Sequence, residues 1–202
     1  GHEDGSTHPV FPTPTIGMLG LLADKSLQAS MDFKYKGDLI YLLGQSHDDI
    51  GSSEYLASIH HVKLSTAPRF DIEEELALQD CVKGLIKNNY VNAIHDVSDG
   101  GLFVTLAEMG MPRGFGFDIV SDSEVRLDAF LFGESQSRVI ATVVEDYEDE
   151  FIDSITEAGI PLTLLGHVTQ GKMVVDDFHF GFVNDYVALY DNAIGKAMKK
   201  NG

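Results

Sequence analysis

Two short stretches concentrate the residue types that can do chemistry. The first is His95-Asp96-Val97-Ser98-Asp99-Gly100-Gly101-Leu102, and the second is Leu131-Phe132-Gly133-Glu134-Ser135-Gln136-Ser137-Arg138. In the first, a polar Gly-Gly turn lies between an apolar approach, Tyr90–Ile94, and an apolar run from Leu102 to Met109. A strand, a turn and a helix in that order present backbone N–H groups to an anion. A plain strand-to-helix turn, using Gly for its φ freedom, has the same pattern. In the second, Gly133 permits an unusual backbone, and an acid, a hydroxyl, an amide and a guanidinium follow within five residues. Such a cluster can bind phosphate or ribose hydroxyls through Arg and backbone N–H donors. A strand-entry turn with a surface Arg–Glu pair is the plainer alternative.

The elements that must position these turns follow from periodicity. Leu39–Leu43 and Ser137–Val144 are expected strands, the latter rich in β-branched residues. Thr15–Ala23 is almost continuously apolar and is expected as a strand buried on both faces. Gly114–Val120, Leu162–Val168 and Lys172–Asp176 are further expected strands, the last two pairing as a hairpin around Gly171. Helices are expected over Ser52–His60, from Asp71 to about Asn88, over Asp146–Ala158 and over Asp185–Lys200. Asp71 with Glu74 gives a capping-box-like start, and Leu78, Cys81, Val82 and Leu85 give an apolar stripe. Val187, Tyr190, Ile194 and Met198 give another. Leu127–Gly133 reads as a short helix or turn. Strands and helices mix without strict alternation, so the expected fold is α+β, a mixed β-sheet with helices packed on it.

Composition narrows the function. The 202 residues carry 32 acids against 14 bases, a formal net charge of −18. Such a surface argues against nucleic acid and anionic membranes as partners. No apolar run approaches the ~20 residues that cross a bilayer, and no signal-peptide pattern opens the chain. Gly1 reads as a cloning scar, residues 1–9 as a tag or disordered linker, and residues 10–202 as a single domain. The lone Cys81 is expected to be a buried thiol. The adjacent His60 and His61 point about 100° apart on a helix, and no third or fourth ligand stands at zinc spacing. No nucleophile elbow, Walker loop or dinucleotide fingerprint occurs. The residues alone therefore give a domain with two turns suited to anions and no complete active site.

At these turns the chain resembles a known family. His95-Asp-Val-Ser-Asp-Gly-Gly-Leu-x-Val-x-Leu-Ala-Glu108 and Leu131-Phe-Gly-Glu-Ser-Gln-Ser-Arg138 are similar to the C-terminal half of the synthetase subunit of phosphoribosylformylglycinamidine synthase. Pro12-Thr-Pro-Thr-Ile-Gly-Met-Leu-Gly20, Gly37-Asp-Leu-Ile-Tyr-Leu-Leu-Gly44 and Gly51-Ser-Ser-Glu-Tyr-Leu56 match in the family's order. The Ser-Asp-Gly-Gly form separates it from the sister aminoimidazole ribonucleotide synthetase, selenophosphate synthetase and thiamine monophosphate kinase groups, which share the architecture. Gly51-Ser-Ser-Glu replaces the family's commoner Gly-Gly-Ser-Glu, and the chain after Met109 is short.

The resemblance implies a C-terminal domain like that of aminoimidazole ribonucleotide synthetase. It implies a cytoplasmic enzyme of purine synthesis that uses ATP and Mg²⁺ to activate formylglycinamide ribonucleotide as an iminophosphate, which glutamine-derived ammonia then displaces. It places the catalytic histidine, the main ATP contacts and the magnesium ligands in N-terminal domains, so no catalytic residue and no metal ligand is assigned here. This fragment alone is expected to be inactive and to bind no cofactor tightly. The implied partners are the N-terminal domains of its own chain, a glutaminase subunit and a small accessory subunit. Glu134, Ser135, Gln136 and Arg138, with Ser98, Asp99, Gly100 and Gly101, form the candidate substrate- or phosphate-binding set. A purely structural interaction module, or a sister-family domain, is the alternative.

Overall fold

The run Leu39–Leu43, β1, shows how a strand apolar on both faces organises the chain. Ile40 and Leu42 point into one core and Tyr41 and Leu43 into another, all buried. A computed structural model describes residues 14–22 and 24–200. Six further strands join β1: β2 (Ala93–Asp96), β3 (Gly116–Ile119), β4 (Val139–Val143), β5 (Leu162–Thr169), β6 (Lys172–Val175) and β7 (Phe178–Phe182). Their order in the sheet is β2-β4-β1-β5-β3-β6-β7. Every neighbouring pair is antiparallel except β3 and β6. The helices are α1 (Glu54–Ser58), α2 (Ile72–Lys87), α3 (Gly101–Gly110), α4 (Leu127–Phe132), α5 (Glu148–Glu157), α6 (Val183–Asp191) and α7 (Ala193–Lys200).

The first core takes Leu102, Leu106 and Met109 of α3 with Phe130 and Leu131 of α4. The second takes Leu78 and Leu85 of α2 with Phe151 and Ile155 of α5. Each such side chain, fully buried, is worth about 1.5–3 kcal/mol. The sheet is mixed and carries helices on both faces, the α+β class expected. Asp71 caps α2, accepting from the N–H groups of Glu73 at 3.0 Å and Glu74 at 3.2 Å. Glu74 does not complete a capping box; its carboxylate takes a two-pronged bond from Arg69 at 2.6 and 2.7 Å. Asp38, beside β1, is 4% exposed, and burial pushes its carboxyl pKa up despite a 2.8 Å bond from Asn92.

Several expectations are corrected. Residues 15–22 form no strand, and all of them are exposed, so this apolar run has no covering layer among the described residues; Ala23 lies outside them, as do residues 1–13. Leu162–Thr169 and Lys172–Val175 do not form a hairpin. β3 lies between them, and Gln170–Gly171 steps across its first residue. A Cβ on Gly116 would sit 2.0 Å from the carbonyl oxygen of Lys172, so only glycine allows that crossing. The real hairpin is β6–β7, turning on Asp176 and Asp177 with φ of 49° and 67°. That pair of left-handed residues is the backbone of a tight hairpin turn, here made without glycine.

The helix expected over Asp185–Lys200 starts at Val183 and breaks at Asn192, whose side-chain amide donates to the Ala188 carbonyl at 2.7 Å. Its stripe residues Tyr190, Ile194 and Met198 are exposed, and the anchor is Val183. The strand expected at Tyr90–Ile94 sits three residues later at its start, which brings His95 and Asp96 into β2. Helix α1 is shorter than the expected Ser52–His60, and Ala158 lies exposed beyond the end of α5.

Candidate functional site

Strand β2 delivers the chain to the first turn. Val97 N–H donates to the Arg138 carbonyl at 3.0 Å, and Gly101 N–H to the Ser98 carbonyl at 3.0 Å. Gly100 and Gly101 have φ of 88° and 73°, a region that favours glycine. Gly101 also sits directly against the end of α4. A Cβ there would fall 2.7 Å from the Gly133 carbonyl oxygen and 2.8 Å from Phe132 backbone atoms. The two turns singled out from the sequence thus pack on each other.

The second turn then reaches back. Glu134 Oε1 accepts the Gly100 N–H at 2.9 Å and the Glu54 N–H at 2.7 Å. Gly100 caps α3 and Glu54 opens α1, so one carboxylate serves the positive ends of two helices. The anion in this cradle is the protein's own. Arg138 is 2% exposed, and it is not a surface ion pair. Its Nη2 donates to the Gly133 carbonyl at 2.6 Å and its Nε to the Ser135 carbonyl at 3.0 Å, with a 3.4 Å contact from Nη1 to Ser46 Oγ. Burial pulls the guanidinium pKa down to about 10, and the Glu134 charge draws it partly back up. Ser135 is buried, and its Oγ has no partner among the described residues. Ser137 takes a φ of 58°, and its hydroxyl donates to Glu75 at 2.8 Å.

Between the turns lies a cleft of about 210 Å³. Ser98, Asp99, Glu134, Gln136 and Arg138 line it, as the sequence grouped them, but Gly100, Gly101 and Ser135 do not. Glu75 and Asp96 line it too; Asp96 lies in the first stretch but outside the candidate set, and Glu75 lies in neither stretch. Glu75 comes from α2, and nothing local to either motif signals it. The cleft therefore holds four carboxylates against one guanidinium that is already committed to carbonyls. Ser98 and Asp99 are exposed and make no side-chain hydrogen bond among the described residues, so they are the groups free to meet a ligand. That polarity suits hydroxyl donors better than a bare phosphate.

Elsewhere, His95 Nε2 lies 3.3 Å from Glu108 Oε2 and its Nδ1 3.1 Å from Asp96 Oδ1. Tyr190 of α6 donates to the other Glu108 oxygen at 3.2 Å. No group of three or more His, Cys, Asp or Glu that could hold a metal occurs among the described residues. Cys81 is partly buried on the α2 stripe, which raises its thiol pKa. No helix among the described residues is long and apolar enough to cross a membrane.

The sequence model of AIR synthase related protein, C-terminal domain, matches residues 36–177. The phosphoribosylformylglycinamidine synthase subunit PurL of Moorella thermoacetica is 37% identical over 174 residues, covering 86% of this chain and 24% of that protein. Its counterpart from Alkaliphilus metalliredigens is 41% identical over 171 residues, covering 85% and 23%. The chain thus spans about a quarter of the length of these curated relatives. Among solved structures, T. maritima PurL complexed with FGAR aligns with a TM-score of 0.69 at 13% identity, over 81% of this chain and 30% of that one. PurLQS from Thermotoga maritima gives 0.63 at 13%, over 79% and 27%. At such identities the structural likeness is one of fold.

Proposed function

The chain belongs to the family of AIR synthase related C-terminal domains, and from that footing we propose that it is the C-terminal domain of a PurL-type synthetase subunit. In that role it serves the ATP-dependent conversion of formylglycinamide ribonucleotide and glutamine-derived ammonia to formylglycinamidine ribonucleotide in the cytoplasm. The observation that carries this reading is identity of 36–41% to PurL subunits over most of this chain. Residues 10–202 act as one domain, inactive alone, and its partners are the N-terminal domains of the same subunit, a glutaminase and a small accessory subunit. Among the described residues no group of three or more His, Cys, Asp or Glu that could hold a metal comes together, Gly100 N–H is taken by Glu134, and Arg138 is spent on carbonyls. These features support placing the chemistry of activation in parts of the relatives that this chain does not span.

Within the domain the eight candidate residues divide by task. Glu134, Gly100, Gly101, Ser135 and Arg138 form a frame that locks two turns together. Ser98, Asp99 and Gln136 face the cleft and are the substrate-contacting candidates, suited to the hydroxyl-bearing part of a ribonucleotide. The alternative role, a purely structural interface module, draws on the same internal filling of the cradle.

To test the assignment, this chain is grafted in place of the corresponding domain of the M. thermoacetica subunit. We expect a soluble chimera that makes formylglycinamidine ribonucleotide from ammonia and ATP, while the chain alone makes none. A soluble, correctly assembled chimera without activity, or turnover by the isolated chain, would overturn it. Asp99→Ala in the active chimera separates the two roles: a raised KM for the ribonucleotide supports substrate contact, and unchanged kinetics support the interface module.

A further inference from the structure

A second cleft, of about 330 Å³, lies beyond the Gln136–Ser137 ridge. Its volume is within the range of about 300–1,000 Å³ common to small-molecule sites. Four segments build it: the loop after β1, the first turns of α2, the 136–137 ridge and the α5–β5 turn. The ridge is fixed. Ser137 holds a left-handed backbone that non-glycine residues seldom adopt, and its carbonyl sits so close to Gly44 that a Cβ there would lie 2.1 Å away. Backbone held in that way recurs at ligand sites.

The lining states what would fit. The floor is apolar, made by Ala77, Leu78, Ile160 and Pro161. The rim carries Gln45, His47, Glu73 and Gln136. Among the described residues, the side chains of Gln45, His47 and Glu73 make no hydrogen bond, so their capacity is unspent. No Lys or Arg lines the cleft, and the nearby Arg69 is taken by Glu74. A phosphate would face the unpaired Glu73 carboxylate with no Lys or Arg in the lining to meet it. A metal has no ligand set among the described residues. What remains is a flat, uncharged ligand with alternating donors and acceptors on its edge, because a carboxamide offers both a donor and an acceptor and a carboxylate accepts from an amino group.

We propose that this cleft, which shares Leu78 and the Gln136–Ser137 ridge with the one between the two turns, binds a purine-sized aminoheterocycle independently of the synthetase assignment. Its ring lies on the Ala77–Leu78 and Ile160–Pro161 floor, and its edge is read by Gln45 and Glu73. A 5′-phosphate on such a ligand opposes binding, since the unpaired Glu73 stands at the rim and no Lys or Arg does.

The test is a titration of this chain with adenosine, followed by methyl and amide NMR. Saturable shifts confined to Ala77, Leu78, Ala158 and Ile160 are expected. AMP should bind more weakly than adenosine at low salt, and Glu73→Gln should narrow that difference. Ala77→Trp, at an exposed helical position, fills the cleft and should weaken adenosine at least about tenfold, or 1.4 kcal/mol, without lowering the melting temperature. The proposal fails if adenosine gives no saturable shift, if the shifts map elsewhere, or if inorganic phosphate or spermidine displaces adenosine from the cleft. Should Ala77→Trp unfold the chain, the Glu73→Gln result decides: an unchanged adenosine-to-AMP ratio overturns the proposal.

Discussion

Glu134→Ala tests the idea that the chain fills its own anion cradle. The carboxylate accepts two backbone N–H groups, one at the start of α3 and one at the start of α1. A hydrogen bond to a charged group contributes about 1.5–3 kcal/mol when it is shielded, and an exposed one far less because water replaces it. The Gly100 bond is partly buried and the Glu54 bond exposed. Removing the side chain also leaves buried Arg138 without its nearest favourable charge. The sum is a loss of about 2–3 kcal/mol. With a urea slope of about 2 kcal/mol/M, the unfolding midpoint should fall by about 1 M or more. Glu134→Gln keeps an acceptor oxygen and loses the charge, so about 1 kcal/mol is expected. Amide exchange gives a local reading: Gly100 should lose about tenfold protection per 1.4 kcal/mol in the alanine variant. If Glu134→Ala unfolds within 0.1 M of the parent and Gly100 keeps its protection, the latch does not exist. If Gln costs as much as Ala, charge has no part in it.

Other outcomes follow from the same geometry. Gly101→Ala must place a methyl group against Gly133 and Phe132 at a φ of 73°, and calorimetry should show a loss of about 2 kcal/mol or more. Asp71→Ala removes the α2 cap and should lower stability by about 1 kcal/mol, read from urea midpoints, with fraying of Glu73 and Glu74 amides. Asp38 has its pKa raised by burial, so its contribution is fully present below the unfolded value of about 3.9 and is lost as pH rises through the folded value. Asp38→Asn should therefore match the parent near pH 3 and gain on it as pH rises toward 7. A difference curve flat with pH would show that the carboxylate is not the source.

How far the sequence announces this molecule depends on how local each cause is. β1 and β4 are legible because a strand covered on both faces must be almost wholly apolar, and LIYLL and VIATV come close to that, with Thr142 the buried exception. The Asp71 cap and the start of α3 at the Gly-Gly turn are legible because their partners lie within a few residues. The apolar run at 15–22 reads as a buried strand because hydropathy specifies burial without saying what does the burying. β7 escapes because its hairpin turn uses Asp176–Asp177 in place of a glycine signal. Both chemical turns were visible, and their partnership was not. Glu134 lies 34 residues from Gly100, and only the fold shows that one occupies the other. Glu75 and Asp96 change the cleft from phosphate-friendly to carboxylate-lined; Glu75 belongs to neither motif, and Asp96, though within the first, is not among its candidate residues.

The crossing at Gly116 bears on the order of events in folding. β5 and β6 are consecutive and joined by two residues, so in a nascent chain their mutual pairing has as low a loop-closure cost as the native β6–β7 hairpin. The native sheet forbids that pairing, because β3, made more than forty residues earlier, lies between the two. The hairpin that local sequence favours is thus a competitor that the chain must avoid or dissolve. Local and global preferences disagree here, a form of frustration that slows the approach to the native state. The β6–β7 hairpin carries no such conflict and can form first, leaving the arrival of residues 116–119 as the step on which completion of the sheet waits.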